Sequence, residues 1–230
     1  MYSKKLENPK SFLNKLNSGI SIMSGGFGLC GIPENSIEFI GESKLSNLTV
    51  ISNNIGNSGR GLVNWLKKKK ISKAICSYVG GNPDLEELIL KGEIEIDIIP
   101  QGTFIEKIRS KGAGIPAFYT PTGVGTLIEK GKETKSFNNR KYLLEESLGA
   151  DLAIIKASKG DYFGNLYFEQ TSQNFSPLMA MAADLTIVEV EELVPIGDLE
   201  PHEIHLPGIF VDYIYQGKNY KNDIEKLLES

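Results

Sequence analysis

The chain has 230 residues, 40% of them hydrophobic, which is enough for a sizeable core and points to one domain spanning residues 1–230. With 25 basic and 29 acidic residues the formal net charge is −4, and so mild an acidic balance gives no reason to bind nucleic acid or an anionic membrane. Two cysteines, Cys30 and Cys76, make no disulfide framework, and there is neither a signal-like N-terminal apolar core nor an apolar run of membrane-spanning length, so a soluble cytoplasmic protein is expected.

Short strand-like runs alternate with helical patterns. Residues 20–24 are apolar and strand-like, and Pro33 then pre-sets the first turn of a helix over residues 33–40. Residues 48–52 form the next predicted strand. Leu62, Trp65 and Leu66 follow at helical spacing within residues 61–69, and residues 71–79 return to strand character. Asn82 and Pro83 suit a helix cap and first position, leading into Leu85, Leu88 and Ile89. Residues 94–99 alternate acidic and apolar residues, a strand with one wetter face. Phe104, Ile105 and Ile108 mark another helix, and residues 115–119 another strand.

Beyond about residue 131 the pattern loosens. Residues 133–140 read as a polar, turn-rich surface excursion, residues 152–157 and 185–190 as buried strands, and residues 222–228 as a closing helix. The alternation predicts an α/β fold with an open, largely parallel sheet flanked by helices. There is no internal repeat and no interdomain linker.

The most informative stretch is the run Gly25, Gly26, Phe27, Gly28, Leu29, Cys30, Gly31, Ile32, Pro33, Glu34, between the first strand and the first helix. Glycines there permit tight turning and let backbone amides approach a ligand, and a following helix N-terminus favours anions. Gly26-x-Gly28-x-x-Gly31 also matches the dinucleotide fingerprint, but that reading wants an acidic residue at the end of the second strand, where this chain has Ser52, Asn53 and Asn54. His202 and His205 form an H-x-x-H pair flanked by Pro201 and Pro207 and lacking further ligands, so no metal site is expected. The basic run Lys67 to Lys70 reads as a solvated helix end, Cys30 as a packed thiol and Trp65 as core.

Taken in order, the motifs resemble the A chain of family I coenzyme A transferases. The resemblance rests on the glycine run from Gly25 to Glu34; Ser52-Asn53-Asn54; Ser77-Tyr78-Val79-Gly80; Gly92-Glu93-Ile94-Glu95; Pro100-Gln101-Gly102-Thr103; the stretch from Gly112 to Gly123; Gly164-Asn165-Leu166; Asn174-Phe175; and Glu189-Val190-Glu191-Glu192. It covers about residues 10–217.

The resemblance implies that an enzyme glutamate attacks an acyl-CoA and carries CoA as a glutamyl thioester to an incoming carboxylate. The family's nucleophile lies in a Ser-Glu-Asn-Gly motif of a separate B subunit. That motif is absent here, and neither Glu34 nor Glu93 has its context, so this chain is assigned no nucleophile. The expected assembly is an A2B2 heterotetramer, with CoA and acyl-CoA as substrates and no tightly bound cofactor or metal.

By resemblance, Asn53, Asn54 and Gln101 are the supporting polar groups near the reacting carboxylates, where amides can donate to oxyanions without titrating. Gly25, Gly26, Phe27, Gly28, Leu29, Cys30 and Gly31 form the CoA-associated turn. The Gly28-Leu29-Cys30-Gly31 turn with Asn53-Asn54 looks more like the 3-oxoacid group, exchanging CoA between succinyl-CoA and acetoacetate, than the acetate/butyrate group. A nucleotide-binding oxidoreductase and a noncatalytic CoA- or effector-binding module remain as alternatives.

Overall fold

The structure, a computed structural model, describes residues 3–6, 8–57 and 59–220. The first half alternates strands and helices: β1 (Ser21–Ser24), α1 (Glu34–Glu42), β2 (Leu48–Ile51), α2 (Val63–Lys67), β3 (Ile71–Cys76), α3 (Pro83–Leu90), β4 (Glu95–Ile98) and α4 (Gln101–Gly112). The second half adds β5 (Ala117–Thr120), β6 (Thr134–Phe137), β7 (Arg140–Glu146), β8 (Ala150–Asp161), β9 (Leu166–Tyr167), α5 (Ser176–Ala182), β10 (Ala183–Val194) and β11 (Tyr213–Gln216). The predicted closing helix at residues 222–228 lies outside the described residues.

The main sheet runs β11-β10-β8-β1-β2-β3-β4, every neighbouring pair parallel, with β9 added antiparallel to β8. Side chains alternate across it because strand residues point to opposite faces. Ile22, Val50, Leu152, Ile154 and Ile187 join one core cluster with Phe12 and with Ile37, Ile40, Trp65, Leu66 and Leu85 of α1, α2 and α3. Their neighbours Met23, Ile51, Ala153, Ile155 and Val188 join a second cluster with Phe104 and Ile108 of α4 and Met179 and Ala180 of α5. The predicted open parallel sheet with flanking helices is therefore observed, as three layers.

β1 pairs with β2 on one side and β8 on the other. Strand order reverses there, and in such sheets the crevice beyond the carboxyl ends at that reversal is where ligands bind.

Several sequence expectations need correction. The strand near residues 115–119 does not join the main sheet: β5 pairs antiparallel with β7, and β7 with β6, in a separate three-stranded sheet. The excursion at residues 133–140 is a regular hairpin rather than loose turns. Asn138 and Asn139 both take positive φ, 48° and 61°, between Phe137 and Arg140, the conformation of a two-residue hairpin turn. Its strand β6 is exposed along its length, so the apolar alternation that marks a half-buried strand was missing. β4, at the edge of the main sheet, is wet on most of both faces rather than one.

Pro33 precedes α1 as its cap residue instead of occupying the first turn. The basic run is not simply solvated: Lys70 is buried, and its Nζ donates to the carbonyls of Ser43 (2.7 Å) and Leu45 (2.9 Å) beyond the end of α1. Asn82 does cap α3, its side chain accepting from Leu85 N at 3.1 Å, and Trp65 is fully buried with Nε1 donating to Ile37 O at 2.8 Å.

Candidate active site

Four consecutive strands of the main sheet end on one edge of the molecule. The glycine turn follows β1, Asn53 follows β2, Ser77 follows β3 and Gln101 opens α4 after β4. Parallel neighbours lie about 4.8 Å apart, so the first residues past their carboxyl ends stand side by side. Asn53, Ser77 and Gln101 are far apart in sequence and meet only through this pairing.

The turn is anchored from both sides. Gly28 N donates to Asn53 Oδ1 at 3.1 Å, which ties it toward β2. Gly25 N donates to Ile154 O of β8 at 3.0 Å, and Gly26 N to Asn174 Oδ1 at 3.2 Å. Asn174 Nδ2 also donates to Cys30 O at 3.3 Å. Glycine is required at Gly31, where φ is +67° and a Cβ would lie 2.4 Å from the carbonyl oxygen of Ser172. At Gly26, φ is +112° and a Cβ would lie 2.4 Å from Ile32. Phe27 projects from the tip, 51% exposed, with its ring edge-on to Phe175 at 5.7 Å. Leu29 and Cys30 are half-buried beneath it.

Asn53 is almost fully buried. Its Nδ2 donates to Ser77 Oγ (3.0 Å) and to Gln101 Oε1 (3.1 Å), while Oδ1 accepts from Gly28 N. Both of its hydrogens are used within the chain. Asn54 makes a local turn instead, its Oδ1 accepting from Gly56 N at 2.9 Å. Gln101 Oε1 also contacts Ser77 Oγ, whereas Gln101 Nε2 has no hydrogen-bond partner among the described residues. The structure thus brings the glycine turn, Asn53 and Gln101 into one cluster and leaves Asn54 beside it. Tyr78, 57% exposed, stands next to Ser77 at the same edge.

The helix after the turn has no local side-chain cap. Its first amides are satisfied from across the sheet. Glu189 of β10, fully buried, accepts from Asn35 N (3.1 Å), Ser36 N (2.7 Å) and Tyr215 Oη (3.0 Å). Burial pushes the Glu189 carboxyl up, against the opposing pull of the amides of Ser36 and Asn35. Burial likewise drives the Tyr215 hydroxyl far up, so it stays protonated and donates. The Glu189 carboxyl group thus occupies the place where the first amides of α1 would otherwise attract an anion.

The remaining candidates are occupied elsewhere. Glu34 pairs with Arg60 at 3.0 Å. Glu93 pairs with Lys69 at 3.0 Å, and that hydrogen bond and charge hold its carboxyl below the usual range. His205 Nδ1 accepts from Phe168 N at 3.1 Å and its ring stacks on Tyr167, while His202 lies in a single turn at Pro201–Glu203. No three His, Cys, Asp or Glu side chains among the described residues are arranged to hold a metal. Cys76 is buried and its thiol is pushed up to about 11 by that burial, so it is no nucleophile near neutral pH. No helix among the described residues is long and apolar enough to cross a membrane.

Ser77, Asn174 and Glu189 were quoted in motifs but given no role by sequence reasoning. A serine ending a strand, an asparagine in a loop and a glutamate within an apolar strand carry no marker of their partners. For Glu189, an acidic residue within the apolar run at residues 185–190 was the one available signal.

Comparison with known proteins adds an independent line. The A subunit of the succinyl-CoA:3-ketoacid coenzyme A transferase of Helicobacter pylori is 53% identical over 214 residues, covering 93% of this chain and 92% of that one. The human mitochondrial succinyl-CoA:3-ketoacid coenzyme A transferase 2 is 41% identical over 238 aligned positions, covering 96% of this chain and 46% of its own. This chain therefore spans about half of that longer enzyme. A crystal structure of an Escherichia coli acyl-CoA transferase superposes with a TM-score of 0.85 at 19% identity, over 94% of this chain and 47% of the other, a likeness of fold. The sequence pattern of the family described as Coenzyme A transferase matches residues 6–217, a span that contains the glycine turn, Asn53, Ser77, Gln101, Asn174 and Glu189 alike; the chain belongs to the coenzyme A transferase family.

Proposed function

We propose that this chain is the A subunit of a succinyl-CoA:3-oxoacid coenzyme A transferase and works with a separate B subunit, as an A2B2 heterotetramer in the cytoplasm. The observation that carries the reading is identity above half, over nearly the full length of both chains, with a relative that bears that name. The cluster of glycine turn, Asn53 and Gln101 along the carboxyl ends of β1 to β4 supports it with a site of suitable chemistry.

The partner subunit supplies the glutamate. Its carboxylate attacks the succinyl-CoA carbonyl, giving a glutamyl–succinyl anhydride and releasing CoA as thiolate. The thiolate attacks the glutamyl carbonyl, forming the glutamyl-CoA thioester and expelling succinate. Acetoacetate then attacks the thioester, and the same two steps in reverse deliver acetoacetyl-CoA and regenerate the glutamate. Splitting one exchange into anhydride and thioester steps makes each easier. Every step passes through a tetrahedral oxyanion, and a positioned amide donor stabilises it without titrating. Gln101 Nε2 is that donor on this chain, and the turn from Gly25 to Gly31 packs against the CoA.

The test is reconstitution with the partner subunit. This chain alone should transfer no CoA. The complex should exchange CoA between succinyl-CoA and acetoacetate with ping-pong kinetics, and borohydride trapping followed by mass spectrometry should place the reduced glutamyl adduct on the partner only. An adduct on Glu34 or Glu93, or transfer by this chain alone, would overturn the two-subunit reading. A strong preference for acetate or butyrate would overturn the substrate assignment alone.

A further inference from the structure

Gln101 can serve as a donor only if its amide keeps one orientation, because a flipped side chain would present an oxygen to the oxyanion. Asn53 Nδ2 donates to Gln101 Oε1 at 3.1 Å, and a flip would set two donors against each other. Asn53 is itself held by Gly28 N and by Ser77.

Ser77 has one hydroxyl hydrogen and two acceptors within reach, Asn53 O at 3.1 Å and Gln101 Oε1, which is nearer. Asn53 O already accepts from Ser77 N at 3.1 Å. The hydroxyl hydrogen is therefore best used on Gln101 Oε1, while the same hydroxyl oxygen accepts from Asn53 Nδ2 at 3.0 Å. Ser77 consequently closes a three-membered ring of hydrogen bonds, in which Asn53 and Ser77 both donate to Gln101 Oε1. The acceptor end of Gln101 is saturated, and its Nε2 makes no hydrogen bond among the described residues.

We infer that Ser77 is a positioning residue for the transfer reaction, acting through the Gln101 amide and touching no substrate. The inference rests on the transferase reading above and assigns a division of labour within it: one donor, Gln101, and two residues, Asn53 and Ser77, that aim it. Asn53 has no hydrogen left to give, so within this ring direct oxyanion contact falls to Gln101.

A double-mutant cycle in the reconstituted complex tests this. S77A should lower kcat about three- to tenfold, the cost of one ordinary hydrogen bond expressed in the rate, with the KM for succinyl-CoA unchanged. In a Q101A background the same S77A change should have no further effect, because the group it aims is gone. An S77A complex with wild-type turnover, or an equal loss in both backgrounds, overturns the inference. If S77A does not assemble with the partner subunit, S77T and S77V replace it: they share a shape and differ by the hydroxyl. Turnover should then be higher for S77T, and equal turnover overturns the inference. A wild-type complex that transfers no CoA overturns the transferase reading itself, so the two failures are distinguishable.

Discussion

Asn53→Ala separates architecture from chemistry most directly. The side chain makes three well-formed hydrogen bonds, to Gly28 N, Ser77 Oγ and Gln101 Oε1, from an almost fully buried position. Each contributes about 0.5–1.5 kcal/mol net, and partners left unsatisfied out of water add to the loss. The expected destabilisation is about 2–4 kcal/mol. For a chain of this size each kcal/mol lowers Tm by roughly 2–4 °C, so Tm should drop by roughly 4–16 °C. With Gln101 no longer held, turnover of the complex should fall by about 10²-fold, the cost of losing one aimed donor. Gln101→Ala should match that rate loss with a much smaller change in Tm, since it removes the donor and only one end of the ring. The assays are thermal unfolding of this chain and steady-state transfer at matched complex concentration. An Asn53→Ala variant with unchanged Tm would refute the hub, and one whose rate loss vanishes once assembly is matched would refute its role in aiming Gln101.

Gly31→Ala should prevent the turn from forming as it stands, because φ is +67° and the new methyl would lie 2.4 Å from a backbone oxygen; a fully active, equally stable variant in transfer and melting assays contradicts this. Glu189→Ala should destabilise the chain by about 2–4 kcal/mol in chemical denaturation, since it strips α1 of the acceptor for Asn35 N and Ser36 N and leaves the Tyr215 hydroxyl with Ser36 Oγ alone, and Glu189→Gln should cost less. Glu145 on β7 links the three-stranded sheet to α4 through Lys107 (3.0 Å), and it also contacts Lys132. Burial opposes its ionisation, but the two lysines together hold its carboxyl below the ordinary 4.5. A lowered folded value means the native state binds fewer protons than the unfolded one, so this contribution is fully present above about pH 4.5 and is lost as pH falls through the folded value. Glu145→Gln should therefore cost about 1–3 kcal/mol at neutral pH, with the gap to wild type closing in urea titrations as pH falls from 4.5 through the lowered folded value; a gap that persists undiminished in acid refutes the assignment.

The local sequence determined those features whose causes are local. Short apolar runs marked β1, β2, β3 and β8, Asn82-Pro83 marked the start of α3, and the glycine run marked a turn that no residue with a Cβ could complete at Gly31. The ordered motifs carried the family. What the tertiary structure decided is everything that depends on contacts between distant segments. Strand signals alone left open which sheet residues 117–120 would join, because period-2 patterning is the same in both. The first strand of the hairpin, residues 134–137, was hidden because a strand with no buried face has no apolar signature. Lys70 and Glu189 looked like solvent-facing charge and strand polarity until folding placed helix-end carbonyls and helix-start amides beside them. Ser77, Asn53 and Gln101 became one hydrogen-bonded unit only when parallel pairing set the ends of β2, β3 and β4 side by side. Hydrogen-bond partners are chosen by geometry within about 3 Å, and no local pattern encodes which atoms of a folded chain will come that close.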